Sequence, residues 1–337
     1  MEKIEENISE IKKENSSNNK APESNLNWAA ILFYLYLHVI GIAGFHILLT
    51  KAKWMTLIYF VFLTATSYIG LTIGAHRYYA HQSFAASWQF RLFVFIAHTI
   101  AGVGPIYNWV FYHRVHHRYH NTEYDPYNHK KGFLYSHVIG NMFLVPSHVK
   151  TKYEIDIDMR DVDEDDYVWI QKKLYWILFI IFGLLLPINI PIEFWDESLL
   201  NAFLIIGAAR LTITTHFAWL LNSAVLVWGL TKEDRYPVND NSVFFISKSY
   251  WLNYHYLVSW DWKTDELGCY ENGFATFFLK IFRELGFVDQ MKTNSSEDVR
   301  KILWKITNNE KTMKEALDEL KQIAEETAHR ERLVFHH

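Results

Sequence analysis

His76 and His81 stand at the two ends of the motif HRYYAH, while His113, His116 and His117 form HRVHH, with His120 three residues further on. More than half of the chain's 17 histidines fall between His76 and His148. Neutral imidazoles are good ligands for iron, zinc, copper and nickel. A single histidine on a helix face is ordinarily a satisfied polar residue, but two tight groups point to a metal centre. Positions i, i+3 and i+4 of a helix share a face, so HRVHH can aim three imidazoles at one point. His76 and His81, five apart, diverge on an ideal α-helix and need a helix end to converge.

The elements that must position these histidines are apolar. Residues 27–50, 54–75 and 174–192 carry no formal charge, counting histidine as neutral, and residues 198–230 carry only Arg210. Such runs, with Trp, Tyr and Phe near their ends, match the roughly 20 residues needed to span a bilayer. They predict four transmembrane helices rather than the buried helices of a large soluble protein. A further apolar stretch, 90–112, contains Arg91. A fifth crossing would separate the polar segments, so this stretch is expected to lie in the interface or to re-enter. With four crossings, segments 76–173 and 231–337 share one face of the membrane and can build one site. The histidine groups lie outside the spans, which argues against a transporter or channel.

Composition narrows the rest. Of the 337 residues, 50% are hydrophobic and 21% charged, which excludes a disordered chain, and the one cysteine, Cys269, excludes a disulfide framework. Lys plus Arg is 33 against 37 Asp plus Glu, so no basic excess marks a nucleic-acid partner. Residues 1–26 read as a disordered tail, not a signal peptide. The acidic run 154–166 reads as a solvated loop, with calcium binding as an alternative. Residues 296–332, within a C-terminal helical tail spanning 294–337, show the pattern of a charged surface helix. Positive charges at both terminal segments are balanced by negative ones, so they do not orient the chain in the membrane.

HRYYAH, HRVHH, DPYN, GFLYSHV, NSAVLVWG and NYHYLVSWDWKTDELG, in this order, resemble the membrane acyl-CoA desaturases of insects and other animals, over about residues 28–293. The resemblance implies an all-α membrane protein: four transmembrane helices under a cytosolic helical cap that carries the histidine boxes, multi-pass in the endoplasmic reticulum with cytosolic termini. It implies an iron centre, two irons in the family, that uses O₂ to place a double bond in a fatty acyl-CoA. Cytochrome b5 is the implied electron donor and membrane lipid the surrounding. Carried over motif by motif, the metal ligands are His76, His81, His113, His116, His117, His255 and Asn222, with Asp125 as an orienting partner. Trp109 and Trp219 match positions that shape the acyl tunnel, with ordinary core packing as the alternative, and Lys130 and Lys131 are the candidate contacts to the CoA phosphates, with a solvated surface as the alternative.

The chain also departs from the pattern, which has nine histidines and one asparagine. Leu226 and Leu252 stand where histidines belong, and Tyr256 replaces the last histidine of the third box. Leucine cannot ligate; a tyrosine can bind ferric iron as phenolate, and His120 or His216 are the candidates to fill a vacancy. Two irons, one or none are therefore open. Near the second box, VGPIYNWVFYHR lacks the polar residues that hold CoA in the family, with Val103, Gly104, Pro105, Asn108, Phe111 and Tyr112 in their places, and Leu144 and Val145 stand where a basic pair is expected. The expectation is a desaturase, with a catalytically degenerate lipid- or partner-binding relative as the alternative.

Overall fold

The computed structural model describes residues 25–120, 122–224, 226, 251–264 and 270–335. Expectations about residues 1–24, the end of the fourth apolar run beyond 226, and Cys269 lie outside the described residues. In chain order, α1 (Trp28–Thr50) and α2 (Trp54–Ala80) are followed by a shorter pair, α3 (Trp88–Ala101) and α4 (Ile106–Tyr119), and then by α5 (Asp166–Trp195) and α6 (Leu199–Ser223). Helices α1, α2, α5 and α6 are long and apolar enough to cross a bilayer. In lipid, a helix satisfies its own backbone groups, which is why these apolar runs take this form. α2 and α6 are the inner pair, with 56% and 61% of their apolar stretches buried against 22% for α1 and for α5. The outer pair leaves Val39, Ile42, Leu49, Trp176 and Ile177 exposed, as lipid-facing helices do.

Small residues set the crossings. A Cβ on Gly44 of α1 would stand 2.1 Å from the Leu204 carbonyl oxygen on α6, so only glycine permits this approach. At one end of the bundle the turns 51–53 and 196–198 are tied by Glu197. Its buried carboxylate accepts from the Lys53 amide (3.0 Å), the Thr56 hydroxyl (2.6 Å), Asn201 Nδ2 (2.9 Å) and the Ser198 amide (3.2 Å). Midway along α6, the fully buried Arg210 donates to carbonyls of Ile206 (2.8 Å), Ile100 (2.5 Å) and Gly183 (2.5 Å).

α2 does not stop at residue 75. It rewinds as a π-helix over Gly70–Ala80 and carries HRYYAH within it. The stretch 90–112 does not run straight either, because α3 and α4 meet at 86°. The elbow is made by Gly102 (φ 72°) and Gly104 (φ 94°), positive values that suit glycine, followed by Pro105. α5 holds this elbow: the Gly104 amide donates to Tyr175 Oη at 2.8 Å and the Ile106 amide to the buried Gln171 Oε1 at 2.7 Å. α4 thereby returns to the end of α2, which places both histidine motifs together.

The remaining elements brace that end. The acidic run 154–166 is a set of short helices rather than a free loop, because its carboxylates have cationic partners: Asp161 takes both terminal nitrogens of Arg114 at 2.8 and 2.7 Å, and Asp165 meets Arg91 at 2.9 Å. A two-residue pairing joins β1 (Ala85–Ala86) to β2 (Val288–Asp289). The third box sits on α7 (Trp251–Leu257), followed by α8 (Phe274–Glu284). The expected single surface helix over 296–332 is instead two, α9 (Ser296–Thr307) and α10 (Met313–Phe335), separated at Asn309, whose φ of 55° ends the first. Val299 and Ile302 of α9 and Ala316, Leu320 and Ala324 of α10 bury against Tyr254, Val258 and Trp260, so the C-terminal pair is the platform under the third box.

Candidate metal centre

A π-helix bonds residue i to i+5, and the His81 amide donates to the His76 carbonyl at 3.1 Å. This winding, not simply a helix end, brings two histidines five apart onto one face. Their ring centroids are 4.6 Å apart. α4 is fixed beside them by Arg114 of HRVHH, which donates to the carbonyls of Tyr79 (2.6 Å) and Ala80 (3.3 Å) as well as to Asp161. Arg77, inside the first motif and buried, reaches the Trp262 carbonyl at 3.1 Å and so joins α2 to the segment after the third box.

Among the described residues, one group of metal-ligating donors converges: nitrogens of His76, His81, His113 and His255 all lie within 4.8 Å of one another. His81 Nε2 is 2.9 Å from His113 Nε2, and His76 Nε2 is 3.3 Å from His255 Nε2. His117 adjoins the group, 4.5 Å from His81 and 5.0 Å from His255 between ring centroids. Among the described residues its buried Nε2 has no hydrogen-bond partner. Burial first, and then the neighbouring imidazoles, hold His81, His113 and His117 well below the usual histidine range, which keeps them neutral. Neutral imidazoles in mutual contact, one of them unsatisfied, fit a bound cation.

The other predicted ligands are placed differently. Asn222 sits behind His113, its Oδ1 2.8 Å from His113 Nδ1, and acts as the orienting group of that imidazole. His116 faces away from the four. Its Nδ1 is 2.8 Å from Asp125 Oδ1, as the motif reading anticipated, and its Nε2 is 2.8 Å from the Tyr256 hydroxyl. Burial, and then Asp125, push the Tyr256 phenol far above its ordinary range, so it is a hydrogen-bond donor. His120 lies flat on the Tyr256 ring, 3.8 Å away at 3°, and bonds His129 at 3.1 Å. His129, which motif spacing did not single out, bonds the Asn222 carbonyl at 2.7 Å. His216 is remote from the cage, in a chain with His38 (3.1 Å) and His137 (3.0 Å). Leu226 is half-buried, and Leu252 lies on α7.

A cavity of about 800 Å³ lies beside the cage, lined by Trp109, Trp219, Tyr112, Tyr175, Phe179 and Asn222 among others. Trp109 stacks on His113 at 5.0 Å and 12°, and Asn222 bonds that same ring, so cavity and cage share a wall. Lys130 and Lys131 are exposed and do not line it; Lys131 pairs with Glu123 at 3.4 Å. Lys172 and Lys173 do line it.

No protein-family model matches the chain. Curated proteins do. An acyl-CoA Delta-9 desaturase of Acheta domesticus is 38% identical over 271 residues, covering 79% of this chain and 75% of that one. The chain belongs to the acyl-CoA desaturase family. An acyl-CoA Delta-12 desaturase of Tribolium castaneum is 34% identical over 81% of this chain and 77% of its own length. Stearoyl-CoA desaturase 5 of Homo sapiens is 32% identical over 81% and 83% respectively. Among the described residues of this desaturase-family chain, the converging group takes His76 and His81 from the first motif, His113 from the second and His255 from the third.

Proposed function

We propose that the chain oxidises a fatty acyl-CoA to an unsaturated acyl-CoA, as an iron-dependent oxidoreductase of the endoplasmic reticulum membrane with its histidines toward the cytosol. Iron bound by the cage would supply the O₂ chemistry that an unactivated C–H bond requires. The observation that carries this reading is the wall shared by cage and cavity: Trp109 and Asn222 each touch His113 and each line the 800 Å³ space. In this reading the cavity takes the acyl chain, and Trp109, Trp219 and Phe179 keep it against the cage and exclude water. Asn222 holds His113 in the tautomer that leaves Nε2 free to ligate. Lys130 and Lys131, directly after His129, are the proposed contacts for the CoA phosphates, and cytochrome b5 the proposed electron donor.

Expression in a desaturase-deficient yeast tests this. New double bonds in the recovered lipids that vanish in His113→Ala support the reading; wild-type protein that accumulates in the membrane and yields none refutes it. A second reading, a relative that binds lipid or a partner without turnover, is favoured by Leu226 and by the Tyr256 hydroxyl bonded to His116 where a ligand is expected. That reading predicts no new double bonds.

A further inference from the structure

The two flanks of HRVHH commit their nitrogens differently. On the inner flank, the Asn222 amide oxygen places the His113 proton on Nδ1, so the lone pair on Nε2 points toward His81. The amide is itself oriented, because its NH₂ donates to the Ala218 carbonyl at 3.4 Å. His76 and His255 complete the converging group, and His117 adds a fifth imidazole whose buried Nε2 meets no donor or acceptor among the described residues. Buried polar nitrogens are ordinarily satisfied. Among the described residues nothing satisfies His117 Nε2, and a cation would.

On the outer flank the same helix presents His116. Asp125 accepts from Nδ1, which leaves Nε2 as the acceptor for the Tyr256 hydroxyl at 2.8 Å. His129 Nε2 must donate to the Asn222 carbonyl, so its Nδ1 accepts from His120 Nε2 at 3.1 Å. His120 in turn covers the face of Tyr256 at 3.8 Å. The lone pairs of His116 Nε2 and His129 Nδ1 are therefore used within the chain. Leu226, where the family pattern has a histidine, brings no donor atom at all.

We infer that this desaturase-family chain binds one metal ion, among His76, His81, His113, His117 and His255, and that the hydrogen bond from Tyr256 to His116 stands where the family has its second ion. The inference rests on the metal-dependent reading above and assigns it a stoichiometry and a side.

The test uses the full chain, purified in detergent, stripped with a chelator and titrated anaerobically with ferrous iron, the bound metal being counted per chain. The expected result is one ion in the wild type, one in Tyr256→Phe, and at least a tenfold loss of binding in His81→Ala. Two ions in the wild type overturn the inference. So does a visible phenolate-to-ferric band, formed on oxidation and abolished by Tyr256→Phe, or a wild-type chain that binds none. The near-isosteric Tyr256→Phe and the wild-type count decide the matter even where His81→Ala does not fold. Lipid analysis of the same strains separates this from the functional reading: two ions with new double bonds sink the inference alone, and one ion without them sinks the function alone.

Discussion

At one end of the bundle a single carboxylate, Glu197, gathers four hydrogen bonds and joins two turns. At the other, imidazoles from α2, α4 and α7 are pressed together, and one of them, His117, has a nitrogen with no partner among the described residues. Both ends bury polar groups. In the first, each added donor lowers the energy of a fixed charge, so the end acts as a clasp. In the second, like groups crowd one another and wait on something outside the chain. Burial of polar groups thus stabilises where the partners are complementary, and makes a binding site where they are alike.

The sharpest way to break the comparison is to remove a cage imidazole. His113→Ala should reduce bound metal to background, and Asn222→Ala, which only orients His113, should weaken metal affinity about 10–100-fold, read by chelator competition. Neither should matter at the Glu197 end. Glu197→Ala should cost about 1–3 kcal/mol of stability, the range for leaving buried donors unsatisfied, with metal content unchanged. Metal lost from Glu197→Ala would show that the two ends are coupled.

Acid should separate the ends. Burial, ahead of the neighbouring imidazoles, lowers His120 to about 3 and His129 to about 4, and lowers His81, His113 and His117 as well. Their folded values lie below the unfolded value of about 6.5, so their contribution is complete above that pH and is lost as pH falls from there toward the folded values. For Glu197, burial acts to raise the carboxyl, yet the bonds from Thr56, Asn201, Lys53 and Ser198 outweigh it and hold the group low. Its contribution is present above about 4.3 and lost only below. Thermal midpoints of metal-free wild type and Glu197→Gln should therefore fall in parallel between pH 7 and pH 5 and draw together below about pH 4. Profiles that diverge between pH 7 and pH 5 would count against this assignment. The smallest effect is expected at Lys131→Ala. Its ion pair with Glu123 is 40% and 44% exposed, and its loss should change stability by less than about 0.5 kcal/mol in a denaturation series.

Much of this architecture was legible in the residues. Apolar runs, three of them uncharged and one carrying only Arg210, give the four spans because a helix satisfies its own backbone groups in lipid. The spacing of HRVHH places His113 and His117 beside the first motif, while His116, expected to share their point of aim, turns to Asp125 and Tyr256. The convergence of His76 with His81 was not legible in the same way, since π winding is a choice of backbone partners that no residue type announces. His129 escaped notice because its partners, Asn222 and His120, are 93 and 9 positions away, and only the fold makes them neighbours. Asn222 looked like a ligand in its motif, whereas its position one layer behind His113 depends on how α6 meets α4. The split between α9 and α10 turns on the backbone of one asparagine.

Arg210 finds its carbonyl partners on α3, α5 and α6 together. An unpaired arginine at the centre of a helix costs about 2.5–3.5 kcal/mol on insertion scales. α6 therefore enters lipid poorly by itself, and settles once α5 and the elbow of α3 are there to receive the guanidinium. Insertion of α6 thus depends on α3 and α5, which precede it in the chain and offer the Ile100 and Gly183 carbonyls to its guanidinium.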